Sequence, residues 1–144
     1  MSSIYFVETR TGEQKNQLCR WTDRLYLERK PVRIVVDSPA AAQLIDQLLW
    51  TFSQSSFIPH AVVNEGAERG QEPVAITCGQ FPVPGFDAVV CDFQADLEFM
   101  SLFETAVHFI LGDDPERRQK SRNLWQRARE SGLNPIHVPY EGKQ

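Results

Sequence analysis

Basic side chains are concentrated in one stretch of the sequence, ERRQKSRNLWQRARE at residues 116–130. Six basic residues stand against two acidic ones there, a local charge of +4, whereas the whole chain carries −4 and the remainder therefore −8. Guanidinium groups bind carboxylates and phosphates through paired hydrogen bonds. The chemistry available to this stretch is recognition of an acidic partner.

The spacing of this stretch predicts an amphipathic α-helix. Within an arc of roughly 60° on that helix lie Arg118, Arg122, Trp125 and Arg129. The neighbouring arc, predicted to pack on the body of the protein, carries Ser121, Leu124 and Ala128. The alternative is an ordinary charged surface helix with Trp125 covering the core, because charge runs are usually solvated faces.

Catalytic and metal-binding patterns are weak in this sequence. His60, His108 and His137 are assigned to a loop, a strand and the C-terminal tail, and His60 is interpreted as a hydrogen-bonding or interface residue. The cysteines at 19, 78 and 91 lack CxxC spacing, so neither a disulfide framework nor a zinc site is predicted. We therefore expect a binding protein with no catalytic residues, cofactor or metal.

Aspartates near strand ends are candidates for catalysis at Asp37 and for metal binding at Asp87, Asp92 and Asp96. Asp37 is expected to lie in a helix-capping or solvated turn, and Asp87, Asp92 and Asp96 are expected to be solvated. Neither GxGxxG nor GxxxxGK[ST] occurs in the sequence. A nucleotide-dependent enzyme is therefore the weakest of the alternatives.

Alternating strand and helix patterns predict the fold class. Strands are expected at residues 4–7, 32–37, 74–77, 86–93 and 104–111, and helices at 13–30, 39–49 and from Pro115. In the second helix, the residues expected to face inward are Leu44, Ile45, Leu48 and Leu49. The order predicts an α/β protein, a single Rossmann-like domain over residues 1–144 with a mostly parallel central sheet flanked by helices.

Overall charge and hydrophobicity restrict the possible partners and the cellular location of the protein. A pI near 5.4 argues against global attraction to nucleic acid, so any basic site must be local. The N-terminus lacks the basic region of a secretory signal, and no apolar run of about 18 residues is present. A cytoplasmic protein without membrane association is expected.

A family resemblance is carried by the middle of the chain. Leu49-Trp50, then SFIPH at residues 56–60, NEG at 64–66 and PVAI at 73–76 resemble, in order and spacing, the chi subunit of bacterial DNA polymerase III. The first strand and the basic C-terminal helix with its turn at 132–134 extend the resemblance over essentially the full chain.

The resemblance implies a non-catalytic accessory subunit that links single-stranded DNA-binding protein (SSB) to the clamp loader through the psi subunit, with which it forms a heterodimer. SSB has an acidic C-terminal tail ending in Phe. The residues implied for that tail are Arg118, Arg122, Trp125 and Arg129, and those implied for psi are Trp50, Phe57, Ile58 and Pro59. In some relatives the psi surface can also serve an XPD-like repair helicase.

Strong direct DNA binding is not expected. A nucleic-acid-binding protein that uses the same Arg/Trp stripe is nevertheless the alternative to an adaptor, and it predicts steep salt dependence and affinity for DNA alone. The aromatic residues near Trp50 either pack internally or meet a partner.

Overall fold

Parallel strands alternate with helices along nearly the whole chain. The computed structural model describes residues 2–52 and 57–141, so Ser56 of the family signature lies outside the described residues. In chain order the elements are β1 (Ser3–Thr9), α1 (Gln14–Leu27), β2 (Val32–Val36), α2 (Pro39–Thr51), β3 (His60–Val62), β4 (Val74–Cys78), β5 (Ala88–Cys91), α3 (Leu97–Met100), β6 (Thr105–Leu111), α4 (Pro115–Glu130) and β7 (Asn134–Val138).

Within the described ranges, the seven strands form one sheet in the order β3-β4-β2-β5-β6-β1-β7. Every pairing between them is parallel. The predicted α/β, Rossmann-like domain is confirmed, and the sheet is wholly rather than mostly parallel. Strands β3 and β7 form its two edges.

Alternation along the strands divides the core into two layers. Val7 and Ile34 face a layer that α1 and α2 cover, whereas Phe6 and Val35 face a layer that includes Leu124 of α4. Strand β2 is buried at all five positions, as expected for a central strand covered on both faces.

The regular elements follow the sequence prediction closely. Helices α1, α2 and α4 lie within three residues of their expected bounds, while the strand predicted at 86–93 is only four residues long. Strand β3 was predicted as loop and β7 as tail. Both lie at sheet edges, where short, partly exposed segments give a weak pattern.

Side-chain orientation on α2 differs from the expectation at one position. Ile45 and Leu49 are buried and Leu48 is partly buried, but Leu44 is 45% exposed. The fully buried residues of α2 are Ala42, Ile45 and Leu49, so the buried stripe is narrower than expected and includes Ala42 rather than Leu44.

Asp92 is buried rather than solvated. Its carboxylate accepts hydrogen bonds from Lys15 Nζ at 2.6 Å and from Gln14 Nε2 at 3.1 Å. An ion pair therefore joins α1 to the end of β5. The expectation that Asp92 is solvated is wrong.

Membrane-spanning helices and metal-binding clusters are both absent from the described part of the chain. No helix there is long and apolar enough to cross a membrane. No group of three or more His, Cys, Asp or Glu side chains there is placed to hold a metal ion.

Candidate protein-binding surfaces

Helix α4 is positioned by local signals at both ends and by a buried face. Asp114 caps it by accepting a hydrogen bond from the backbone N–H of Arg117, and Pro115 follows at the first helical position. Its buried residues are Ser121, Leu124 and Ala128, as predicted. Gly132, at φ 79°, ends the helix and lets the chain turn into β7.

A surface groove of about 480 Å³ runs beside α4, between the exposed side of the helix and the sheet on which its buried face packs. Arg118, Arg122 and the half-buried Trp125 line its helix side. Its sheet side is formed by Phe6, Glu8, Ile110 and His137. The ring of Trp125 meets that of Phe6 edge to face, with centroids 5.0 Å apart, so the indole is a fixed wall of the groove.

Arg129 is exposed on the same stripe, one turn beyond Trp125, but does not line the groove. Gln126, which sequence reasoning did not select, lines it instead. Three of the four residues predicted for the acidic tail are thus brought together, with Arg129 beyond the C-terminal end of the groove.

The basic residues of α4 divide into paired and unpaired sets. Lys120 Nζ lies 3.5 Å from Glu116 and Arg127 Nη2 lies 3.7 Å from Glu98. Within residues 2–52 and 57–141, no carboxylate lies within ion-pair distance of Arg118, Arg122 or Arg129. Arg117 likewise has no ion-pair partner among the described residues but lies away from the groove, so three of the four unpaired arginines of α4 are on the stripe.

Two titratable residues of the groove were missed from sequence. Glu8 is the second-to-last residue of β1, and its carboxylate lies 3.2 Å from His137 Nε2 on β7. The backbone N–H of Tyr140 donates to the other oxygen of Glu8 at 3.3 Å. Only the pairing of β1 with β7, far apart in sequence, brings these residues together.

Beneath the groove, His108 is 3% exposed on β6 and its Nε2 lies 2.8 Å from Ser121 Oγ on α4. Burial, aided by the positive charge of Arg117, lowers the pKa of His108 from its usual 6.5 to about 4. The imidazole is therefore neutral at pH 7.

This depressed pKa predicts a loss of stability in acid. Between pH 6.5 and 4 the unfolded chain binds a proton at His108 that the folded chain does not, so stability falls as pH drops through that window. Moving from pH 7 to 5 should cost about 2 kcal/mol at this residue. Urea unfolding at both pH values should show a smaller pH dependence for His108→Gln than for wild type. Equal pH dependence of the two proteins would contradict the assignment.

A second surface lies at the other edge of the sheet. Trp50, at the end of α2, is 50% exposed, and Phe57 is 65% exposed, with ring centroids 5.4 Å apart. Pro59 is partly buried, and Ile58 is completely buried in the core. Of the residues predicted for psi, Ile58 therefore supports the loop from beneath, and the other three are at the surface.

His60 holds this aromatic pair in place. Its Nδ1 lies 2.7 Å from Ile58 O, and its Nε2 lies 3.0 Å from Asp46 O and 3.1 Å from the Asp46 carboxylate. The ring of Trp50 packs against the imidazole at an angle of 48°, with centroids 4.4 Å apart. The predicted hydrogen-bonding role of His60 is confirmed, and its 7% exposure makes it a buried support.

Comparison with protein families decides the affiliation of the chain. The model of the family described as DNA polymerase III chi subunit, HolC, matches residues 1–135. This chain belongs to the DNA polymerase III chi subunit family. The family is one of subunits of the DNA polymerase III complex, which acts in DNA replication.

A curated relative supports the chi assignment. DNA polymerase III subunit chi of Pseudomonas aeruginosa PAO1 is 26% identical over 114 residues, which are 79% of this chain and 78% of the relative. The family resemblance stated from the LW, SFIPH, NEG and PVAI segments is thus confirmed.

Solved structures similar to this chi-family chain include a DEAD box protein and a domain of Dbp5. A DEAD box protein from Methanococcus jannaschii superposes with a TM-score of 0.62 at 12% identity over 96% of this chain, which spans only 42% of that protein. The C-terminal domain of Dbp5 from S. cerevisiae gives 0.61 at 11% identity over 99% of this chain and 92% of that domain. At these identities the likeness concerns the fold alone.

Proposed function

We propose that this chi-family chain is a non-catalytic adaptor of the DNA polymerase III complex, located in the cytoplasm, that binds the acidic C-terminal tail of SSB in the groove between α4 and the sheet. The observation that carries the proposal is the juxtaposition of Arg118 and Arg122 with Trp125 on one side of an open groove. Two guanidinium groups suit tail carboxylates, and an indole suits a terminal Phe ring.

The fixed position of Trp125 favours this ligand. Edge-to-face packing on Phe6 orients the indole before a partner arrives, so little side-chain entropy is lost on binding. A short tail buries little area, and its affinity therefore depends on one or two residues of the groove.

The proposal is tested by titrating the protein with a fluorescent acidic peptide ending in Phe. Removing the terminal Phe should weaken binding at least about 10-fold, as loss of a central aromatic contact does. Fluorescence anisotropy measures both affinities. Single-stranded DNA without any tail is the parallel ligand. Tight, steeply salt-dependent binding to DNA, with indifference to the terminal Phe, would favour the nucleic-acid-binding alternative.

The surface around Trp50 and Phe57 is proposed as the contact with psi, and through psi with the clamp loader. In relatives that have it, an XPD-like helicase would compete for the same residues. The two rings form an exposed aromatic pair over a buried His60, which is the composition of an interface hot spot.

Trp50→Ala should weaken binding of psi at least about 10-fold. The substitution removes the indole that contacts Phe57 and covers His60, and it leaves most of the core unchanged. Isothermal titration with purified psi measures the effect. Leu102→Ala, which removes another exposed hydrophobic side chain, is the matched control and should change nothing. Similar losses for both variants would argue against a specific contact at Trp50.

A further inference from the structure

A second groove of about 200 Å³ lies on the opposite side of strands β1 and β7. Arg20, Trp21 and Arg24 of α1 form its helix side. Gln17 of the same helix also lines it, and the rest of the lining comes from Val7, Glu8, Val138, Pro139 and Glu141. Like the α4 groove, it combines two arginines one helical turn apart with a tryptophan.

The helix side of this α1 groove offers two guanidinium groups, and Glu141 on the other side is exposed and lies beyond ion-pair distance of both. Trp21 is 7% exposed and packs on Tyr5 with centroids 5.0 Å apart, so it is a rigid floor. Arg24 stacks over that indole at 4.6 Å, a contact that holds the guanidinium near the groove. Its pairing with Glu28 at 3.7 Å is exposed and weak. Arg20 is exposed and lies beyond ion-pair distance of every carboxylate in the described part of the chain.

The two grooves meet at the edge of the sheet. Glu8 lines both of them, and they lie on opposite faces of β1 and of the edge strand β7. The carboxylate of Glu8 is held by His137 and by the N–H of Tyr140. The arginines of both helices therefore remain available to a chain that passes around this edge.

We infer that the α1 groove is a second subsite for the same acidic tail, taking carboxylates upstream of the terminal Phe. This inference rests on the proposed function of the α4 groove. Passing round one strand is a path on the order of 15–20 Å, which about five or six extended residues span. A tail of eight or more residues would reach Arg20 and Arg24, while a tail of four would fill the α4 groove alone.

The test compares two peptides with the same last four residues, one ending there and one extended upstream by six residues that include three acidic ones. Wild type should bind the longer peptide about 5- to 10-fold more tightly in fluorescence anisotropy at fixed salt. The Arg20→Ala/Arg24→Ala double variant should bind both peptides with the affinity of wild type for the short one. The Lys120→Ala/Arg127→Ala double variant removes the same charge from the outer face of α4 and should keep the length dependence.

Each result separates the subsite from the proposed function. Equal affinities of wild type for both peptides would overturn the subsite and leave tail binding intact. If the Lys120/Arg127 control also loses its preference for the longer peptide, that preference comes from general charge attraction, which also overturns the subsite. Failure of wild type to bind either peptide would overturn the proposed function and the subsite with it.

Discussion

Replacing Arg122 with glutamate should lower the affinity for an acidic tail peptide at least about 30-fold, roughly 2 kcal/mol. Arg122 is exposed in the α4 groove, and no carboxylate of the described residues neutralises it. The substitution removes a bidentate donor and places a like charge beside the ligand. Because the native side chain is exposed, the protein should remain folded. Peptide titration by anisotropy measures the change, and thermal unfolding checks the fold.

The matched control is Lys120→Glu, which makes the same change of charge two residues away. Lys120 lies outside the groove and pairs with Glu116 at 3.5 Å. Local recognition predicts a loss of less than about 3-fold for this variant, since an exposed charge at a distance acts only through a screened field. Comparable losses in the two variants would show that the helix attracts the peptide by net charge rather than by a site.

The helix stripe could be predicted from sequence because its causes are local. An N-cap, a Pro at the first turn and the period of the helix fix which residues share a face, and the structure places Arg118, Arg122 and Trp125 together. The opposite wall of the groove comes from Phe6 and His137, more than a hundred residues apart in sequence. Their proximity depends on strand order, which no local pattern contains.

The difference between local signals and long-range contacts also explains how much of the α1 groove and of the aromatic surface the sequence could predict. The helical spacing of Leu18, Trp21 and Leu25 agrees with their burial on α1. It gave no reason to associate Arg20 or Arg24 with β7. Near Trp50, composition indicated a hot spot but left open whether the rings point inward. Packing decides this, since Ile58 fills the core and so leaves Phe57 outside.

Arg33 is a charged residue in the middle of strand β2 that the pattern of the sequence did not mark, with 1% of its surface exposed. Its Nε donates to Thr77 Oγ1 at 3.0 Å and its Nη2 to Gly79 O at 3.1 Å. The guanidinium lies between Phe81 and Phe99, about equally far from each ring. Within the described ranges no carboxylate pairs with it, and burial lowers its pKa to about 10, so it stays charged at pH 7.

Arg33→Ala should destabilise the protein by about 3 kcal/mol or more, whereas Arg33→Met should change the free energy of unfolding by less than about 1.5 kcal/mol. Alanine leaves a cavity between two phenyl rings. Methionine fills most of it and removes the cost of burying a charge, and Gly79 O still accepts from Thr77 Oγ1 at 3.3 Å. Urea unfolding at pH 7 measures both values. Equal losses would mean that the hydrogen bonds and cation–π contacts of the guanidinium stabilise this half of the sheet, and that its volume does not.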